Sequence, residues 1–428
     1  MPICVGSCDV RHWWSQRFDL SLCPVAGLKG RLIEGSLVVA MMTAACGGDA
    51  ATVTTTDVLP AGSAPSILAG LPWVEEAVTF SFGDDELYGV LTVPADEGPH
   101  PAVVLISGSG GPTGDRAGAS TGSFIDHSHR FAVEGFAVLR YDPPGVGGST
   151  GESGFPSLEM RTQEAAAALS YLRSLPAVAP ERVGLLGVSQ GPWVIAMTAV
   201  RYPQDVAFLI SVVGSGQSVA QQQIYGIEAQ SRAAGMPEED VTAAVLFGRL
   251  LIDWQLIDPI FREANEADAR ALGDGPWTSL MDLVYEPDDI DPVEGLAVGI
   301  EIMKSVQEEP WTEALYLKQL YIPRFESIPA DVTLEQLAAL QAITDQNLTM
   351  DPKEFLTEVR SPVLAFFGED DLNVDSRTSP ALYERYLTEA GNQDFTLVVI
   401  PGVGHGIGVS TPGYWDTLSE WLAQRFIE

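Results

Sequence analysis

Three serines in this chain sit between glycines in the pattern G-x-S-x-G, at Gly118 to Gly122, Gly147 to Gly151 and Gly187 to Gly191. A serine hydroxyl becomes a useful nucleophile only when a neighbouring imidazole takes its proton and a carboxylate orients that imidazole. The chemistry such a set performs is acyl transfer. Pattern alone does not choose among Ser120, Ser149 and Ser189, but context does. A nucleophile elbow needs a strand running into the serine and a helix leaving it, because the tight turn then projects the hydroxyl above a sheet. Only Ser189 has both: Val-Gly-Leu-Leu-Gly-Val precedes it, and Pro-Trp-Val-Ile-Ala-Met-Thr-Ala-Val follows Gly191. Gly187 and Gly191 relieve crowding around the turn, and Pro192 is tolerated because first-turn amides have no intrahelical partner. Ser120 and Ser149 read as loop serines.

The choice of base is short. Apart from His12, the histidines are His100, His127, His129 and His405, and only His405 lies in a glycine-rich turn, Pro-Gly-Val-Gly-His-Gly, directly after a strand-like Phe-Thr-Leu-Val-Val-Ile. Glycines let such a loop carry a side chain over a sheet edge. For the orienting acid, the segment Phe-Phe-Gly-Glu-Asp-Asp-Leu-Asn-Val-Asp offers four carboxylates, Glu369, Asp370, Asp371 and Asp375. His127 and His129 form an H-x-H pair with no third ligand nearby, so they read as polar residues at a helix start rather than a metal site. Gly108, Gly110 and Gly111 precede no phosphate-loop lysine. No metal or organic cofactor is implied.

The elements that must position these groups alternate between short β-rich runs and helical stretches, as expected of a mostly parallel sheet with helices on both faces. The expected strands are residues 77–82, 88–93, 102–107, 136–141, 183–188, 206–213, 362–367 and 395–400. Helices are expected at 161–175 and 190–201. Runs such as Ala-Val-Val-Leu-Ile and Val-Leu-Ala-Phe-Phe suit strands buried on both faces. The rhythm stops after residue 214, and the gap that follows is far too long for a plain loop. Val241, Val245, Leu246, Leu250 and Trp254 recur at helical spacing, and Leu334, Leu337, Leu340 and Ile343 recur every third residue. Residues 215–355 therefore read as a helical cap inserted into a core formed by 77–214 and 356–428. Trp254, Trp277, Trp311, Tyr316 and Tyr321 would give that cap an apolar roof over a substrate, or simply its own core.

The chain order Ser189, acid, His405 is that of the α/β-hydrolases, and the chain resembles that superfamily from about residue 77 to its C-terminus. The resemblance implies the α/β-hydrolase fold, an eight-stranded, mostly parallel sheet with helices on both faces and a large cap insertion. It favours Asp371 as the triad acid through the spacing G-x-x-D-x-x-V from Gly368 to Val374, with Asp370 as runner-up. Ala-Val-Val-Leu-Ile-Ser-Gly-Ser-Gly-Gly-Pro resembles the superfamily's strand and oxyanion loop, implying backbone donors at Ser109 and at Gln190, next to the nucleophile. The phrases Ile-Ser-Gly-Ser-Gly and Leu-Arg-Tyr-Asp resemble bacterial capped esterases grouped with serine-aminopeptidase-like hydrolases. The departures are Ser107 for a common histidine, Pro144 for an arginine in the Asp142 loop, and Gln190 for glutamate. The implied activity is that of a serine hydrolase, a carboxylesterase first, with peptidase, thioesterase or acyltransferase as alternatives of the same fold. A noncatalytic surface-binding protein is the alternative of another class, kept open by those three departures.

Composition narrows the partners. With 428 residues and 46% apolar content the chain can bury a large core. A formal charge of −35 makes nucleic acid and anionic membrane surfaces poor electrostatic partners, and the expected partner, a small-molecule ester, is what the superfamily resemblance implies. All four cysteines, Cys4, Cys8, Cys23 and Cys46, lie in the first 46 residues, so the rest of the chain does its chemistry without thiols. Residues 37–45 form a short apolar run after Lys29 and Arg31, with the length and polarity of a secretory signal, and it is too short to span a bilayer. Thr-Ala-Ala-Cys-Gly-Gly resembles the lipobox of bacterial lipoproteins, which implies lipidation of Cys46. Residues 1–46 are thus expected to be an export signal, the first 27 preceding its true start, and 47–76 a flexible linker. Export to the cell envelope or the medium follows, with membrane contact only through the lipid.

Overall fold

The computed structural model describes residues 70–109, 117–151, 156–286, 290–329 and 331–427. The expected export signal, Cys46 and most of the expected linker lie outside the described residues. Eight strands form one sheet: β1 (Trp73–Phe82), β2 (Asp85–Pro94), β3 (His100–Ile106), β4 (Ala137–Tyr141), β5 (Val178–Val188), β6 (Leu209–Val212), β7 (Val363–Gly368) and β8 (Phe395–Ile400). Their order is β1-β2-β4-β3-β5-β6-β7-β8. β2 runs antiparallel to both its neighbours, and every pairing from β4 to β8 is parallel. All eight expected strands are present, and this is the α/β-hydrolase arrangement.

The first strand begins at Trp73, inside the segment expected as linker, because its leading residues have partners. Trp73 stacks on His129 at 4.7 Å, and a Glu75 carboxylate oxygen accepts from Arg140 Nη1 at 2.8 Å. β3, β4 and β7 are buried along their whole length, as continuous apolar strands covered on both faces must be. β2, near the sheet edge, alternates between buried and partly exposed residues over much of its length.

Two apolar layers cover the sheet. On one face α1 (Gly122–Val133) packs with the C-terminal helix through Phe131, Phe136, Phe208, Trp415 and Trp421. On the other, α2 (Leu158–Arg173) and α3 (Gly191–Arg201) pack through Leu169, Leu172, Val194 and Ile195 into a cluster that continues without a break into the insertion. The insertion between β6 and β7 is helical, as the periodicity required. It comprises α4 (Val219–Ala233), α5 (Glu238–Gln255), α6 (Arg262–Leu272), α7 (Pro276–Tyr285), α8 (Pro292–Val306), a 3₁₀ turn and a π turn over Pro310–Tyr321, α9 (Ile322–Glu326), α10 (Leu334–Thr349) and α11 (Lys353–Leu356). The chain ends with α12 (Ser379–Glu389) and α13 (Tyr414–Phe426).

For the insertion, one choice between two readings is made and one expectation changes. Trp277, Trp311 and Tyr321 are buried among its own helices, Trp311 edge-on to Phe247 at 5.4 Å, so these rings are insertion core rather than a substrate roof. The leucine row of α10 is not a buried stripe either. Leu334 and Ile343 are exposed, Leu337 and Leu340 line a cavity of about 500 Å³ within the insertion, and Thr344, Asn347 and Leu348 are the buried residues. Asn347 Oδ1 accepts from Leu158 N at 2.9 Å, so a tie to the first turn of α2 fixes the rotation of the helix.

Candidate active site

The parallel register brings the C-terminal ends of the strands into line, with Ile106 beside Gly187, Val188 beside Val212, and Gly368 beside Ile400. Every candidate group sits just beyond one of these ends, where open α/β sheets hold their ligands.

At the end of β5 the chain turns at Ser189, whose φ of 60° is a left-handed conformation that costs a non-glycine residue about 1 kcal/mol or more. The sharp reversal needs its glycines. A Cβ on Gly187 would fall 2.4 Å from the Gly191 carbonyl carbon, and one on Gly191 would fall 2.6 Å from the Ile106 oxygen. Ser189 N donates to Val212 O at 2.9 Å, securing the turn to the next strand. Directly after that strand comes a second left-handed residue, the buried Val213, φ 51°, whose N–H donates to Phe366 O at 2.8 Å.

Three side chains from three loops form one relay. Asp371 Oδ2 accepts from His405 Nδ1 at 2.7 Å, and His405 Nε2 lies 3.0 Å from Ser189 Oγ. An ionised carboxylate can only accept, so Nδ1 carries the ring proton and Nε2 is left to accept from the serine hydroxyl. Asp371 is 2% exposed. Its other oxygen accepts from Asn373 N at 2.8 Å and Val374 N at 3.1 Å, which accounts for the charge being kept away from water.

The competing carboxylates are engaged or exposed. Glu369 Oε2 accepts from Gly402 N at 3.0 Å, Asp375 Oδ1 accepts from Arg377 N and Thr378 N, and the Asp370 residue faces solvent. Ser120 and Ser149, and His127 and His129, stand apart from this relay. Ser149 Oγ donates to Asp142 O and accepts from Tyr88 N at 2.8 Å, and Ser120 lies in an exposed turn. His127 is buried, with Nδ1–H donating to Ser123 O at 2.6 Å and Nε2 accepting from Tyr414 OH at 2.9 Å. Burial holds its pKa below the ordinary imidazole value, outweighing the Ser123 carbonyl and the Asp126 charge. His129 bonds to Glu75 at 3.2 Å. Among the described residues no group of three His, Cys, Asp or Glu side chains is placed to hold a metal ion.

Of the two residues expected as oxyanion donors, Ser109 is buried beyond β3 and Gln190 stands at the start of α3. Gly108 backs directly onto Ser189, since a Cβ there would sit 3.2 Å from the Ser189 Cβ. Two further groups were not found by sequence reasoning. The buried Arg161 of α2 donates from Nη1 to Gln190 Oε1 and from Nη2 to Ser107 O. Tyr225 of α4 donates its hydroxyl to Asp371 O at 3.0 Å, while Gln222 and Gln230 of the same helix donate to Asn373. Burial, with Asp375 and Asp371 nearby, raises the Tyr225 pKa and keeps it a donor. No local pattern announces either group, because each reaches the site from a distant segment.

Fold and site together define a serine hydrolase built on the α/β-hydrolase sheet. Comparison with known families refines this: the family model for X-Pro dipeptidyl-peptidase (S15 family) matches residues 83–405, most of the chain, and the chain belongs to that family. No curated protein matches it. Similar solved structures include the α/β-hydrolase GrgF of a Penicillium species (16% identity, 83% of this chain and 99% of that one, TM-score 0.46). An esterase of Pyrococcus furiosus (13%, 84% and 93%, 0.48) and a proline iminopeptidase of Mycobacterium smegmatis (18%, 82% and 98%, 0.42) are others.

Proposed function

We propose that the protein is a carboxylesterase working through an acyl-enzyme. Ser189 attacks the ester carbonyl, His405 takes its proton and returns it to the leaving alcohol, and Asp371 holds the imidazole in the tautomer that accepts. Water then repeats the cycle on the acyl-serine. The backbone N–H groups of Gln190 and Ser109 receive the developing oxyanion. The observation that carries this reading is the continuous relay from a buried Asp371 through His405 to Ser189, at 2.7 and 3.0 Å.

The family description favours a second reading, cleavage of peptides after an X-Pro dipeptide. The two divide on the leaving group. A panel of p-nitrophenyl esters of varied acyl length, run beside X-Pro p-nitroanilides, separates them. We expect kcat/KM on the best ester to exceed that on any X-Pro anilide, and the reverse ranking overturns the esterase assignment. A fluorophosphonate probe should label the wild type and not Ser189→Ala. Labelling that survives Ser189→Ala would place the nucleophile elsewhere.

The insertion serves in this reading as a cap whose first helix braces the acid loop. We also propose that the enzyme is exported and anchored through a lipid on Cys46, on the apolar run and the Ala-Cys junction before Gly47. Among the described residues no helix is long and apolar enough to cross a membrane. Intact mass of detergent-extracted protein tests the anchor, and a mature N-terminus other than Cys46 refutes it.

A further inference from the structure

Arg161 sits at an electrostatically unfavourable place. It lies at the beginning of α2, the positive end of a helix dipole, and is 2% exposed, so it bears both the dipole's repulsion and the loss of hydration. A guanidinium is retained under those conditions when its fixed fork of donors meets matching acceptors. Here the acceptors belong to the two loops that flank the nucleophile. One is the side chain of Gln190, the residue after Ser189; the other is the carbonyl of Ser107, where the chain leaves β3. Glu164, one turn further along α2 on the same helix face, is also buried, at 1% exposed.

We infer that Arg161 is a positioning residue that locks the two halves of the oxyanion hole to each other. The inference rests on the acyl-transfer reading of the Ser189 site. The Ser107 carbonyl belongs to the peptide immediately before Gly108–Ser109, so holding it sets the direction in which the Ser109 N–H points. The Gln190 side chain, held by the same guanidinium, fixes the residue whose own N–H is the second donor. The β3–β5 ladder ends at Ile106 and Gly187, and the Arg161 fork bridges the two loops just past that end. The clamp has a firm base. Ser157 Oγ accepts from Met160 N at 3.0 Å and Asn347 Oδ1 accepts from Leu158 N, so the first turn of α2 is capped and tied to α10. Arg161 acts here through the Gln190 side chain and the Ser107 carbonyl. Its contribution is to the geometry of donors that bind charge only in the transition state, so its removal should lower kcat rather than raise KM.

The test compares Arg161→Met, Gln190→Met and the double variant, with p-nitrophenyl ester kinetics, the rate of fluorophosphonate labelling, and the urea midpoint of each protein. We expect Arg161→Met to lower kcat by about 10- to 100-fold, the scale of a donor displaced by an ångström or less, with KM within about threefold. Phosphonylation should slow in proportion, since its tetrahedral oxygen uses the same hole. The double variant should lose no more than the worse single one, because the bond that Gln190→Met removes is already removed by Arg161→Met. If Arg161→Met does not fold, Arg161→Lys keeps the charge but cannot span both acceptors, and Gln190→Met leaves α2 untouched; both should show the same kcat-specific loss. Unchanged kcat in folded Arg161→Met or Arg161→Lys overturns the inference, and so does full additivity in the double variant. Failure of the serine hydrolase reading is separate: it would appear as unchanged turnover in Ser189→Ala.

Discussion

Replacing Asp371 by asparagine changes one carboxylate oxygen into an amide and leaves shape and volume nearly unaltered. The consequence follows from which oxygen must remain an acceptor. Oδ1 faces two backbone N–H groups, from Asn373 and Val374, and an NH₂ there would oppose two donors. The amide oxygen therefore stays on that side and the NH₂ takes the Oδ2 position, 2.7 Å from His405 Nδ1. A donor at that point forces Nδ1 to accept, the ring proton moves to Nε2, and Nε2 then presents a hydrogen to Ser189 Oγ instead of a lone pair. The base is in place but in the wrong tautomer. In triads of this kind that error costs about 10⁴ in kcat, equivalent to ~5.5 kcal/mol of transition-state stabilisation. Asp370→Asn, one residue away and facing solvent, should change kcat by less than about threefold, because its carboxylate has no part in the relay. Steady-state kinetics on a p-nitrophenyl ester, normalised by fluorophosphonate titration of intact sites, gives both values, and urea denaturation confirms that both variants fold. Retained turnover in Asp371→Asn, or its loss in Asp370→Asn, would refute the reasoning and move the acid by one residue.

Other outcomes follow from the same geometry. Tyr225→Phe removes the hydroxyl that α4 donates to the Asp371 carbonyl; urea melts should show a loss of about 1 kcal/mol, and kcat a decline of a few-fold if the insertion braces the acid loop. Gly191→Ala puts a Cβ 2.6 Å from the Ile106 oxygen, so it should cost at least about 2 kcal/mol or abolish folding; a wild-type urea midpoint would contradict the packing. His127 contributes stability that is present above its unfolded value, 6.5, and lost as pH falls, because burial disfavours the charged ring while the unfolded chain protonates freely. Between pH 7 and 5 the wild type should therefore weaken more steeply than His127→Gln, and parallel pH profiles would count against that origin. Glu75 works lower on the scale. Burial raises its pKa, but the bond and charge of Arg140, the Thr92 hydroxyl and the His129 charge together leave it below 4.5, so its contribution is present above that value and fades as pH falls further. Glu75→Gln should flatten stability profiles in that acid range, which thermal melts at stepped pH would reveal.

The elements of the core were legible because their causes are local. Apolar runs bounded by turns announced the strands, and a strand–Gly-x-Ser-x-Gly–helix succession singled out Ser189 from two other serines in the same short pattern. Boundaries were less legible. β1 begins earlier than its β-rich run suggests because Trp73 and Glu75 find partners on α1 and β4, contacts no local window contains. The insertion's helical character was readable from periodicity, but which face of α10 turns inward was not. Asn347, a polar residue, faces in because the start of α2 offers it a backbone donor, while Leu334 stays in solvent.

Sequence by itself singled out Ser189 and His405 as candidate nucleophile and base and pointed to the class of chemistry, because a tight turn and a glycine-rich loop leave local marks and the chain order of the groups is one-dimensional information. Sequence favoured Asp371 over its three neighbouring carboxylates only through the spacing of the resembled superfamily, and only the tertiary structure shows the physical difference between them. All four lie within seven residues, and the difference between them is the direction of a side chain, set by backbone donors at 373 and 374 and by a histidine 34 residues away. The same holds for Arg161 and Tyr225. Their places at the site depend on a sheet register that brings β3, β5 and β7 to a common edge, and on helices packed against that edge from distant segments. Such juxtapositions arise from packing, which has no period and no spacing to read.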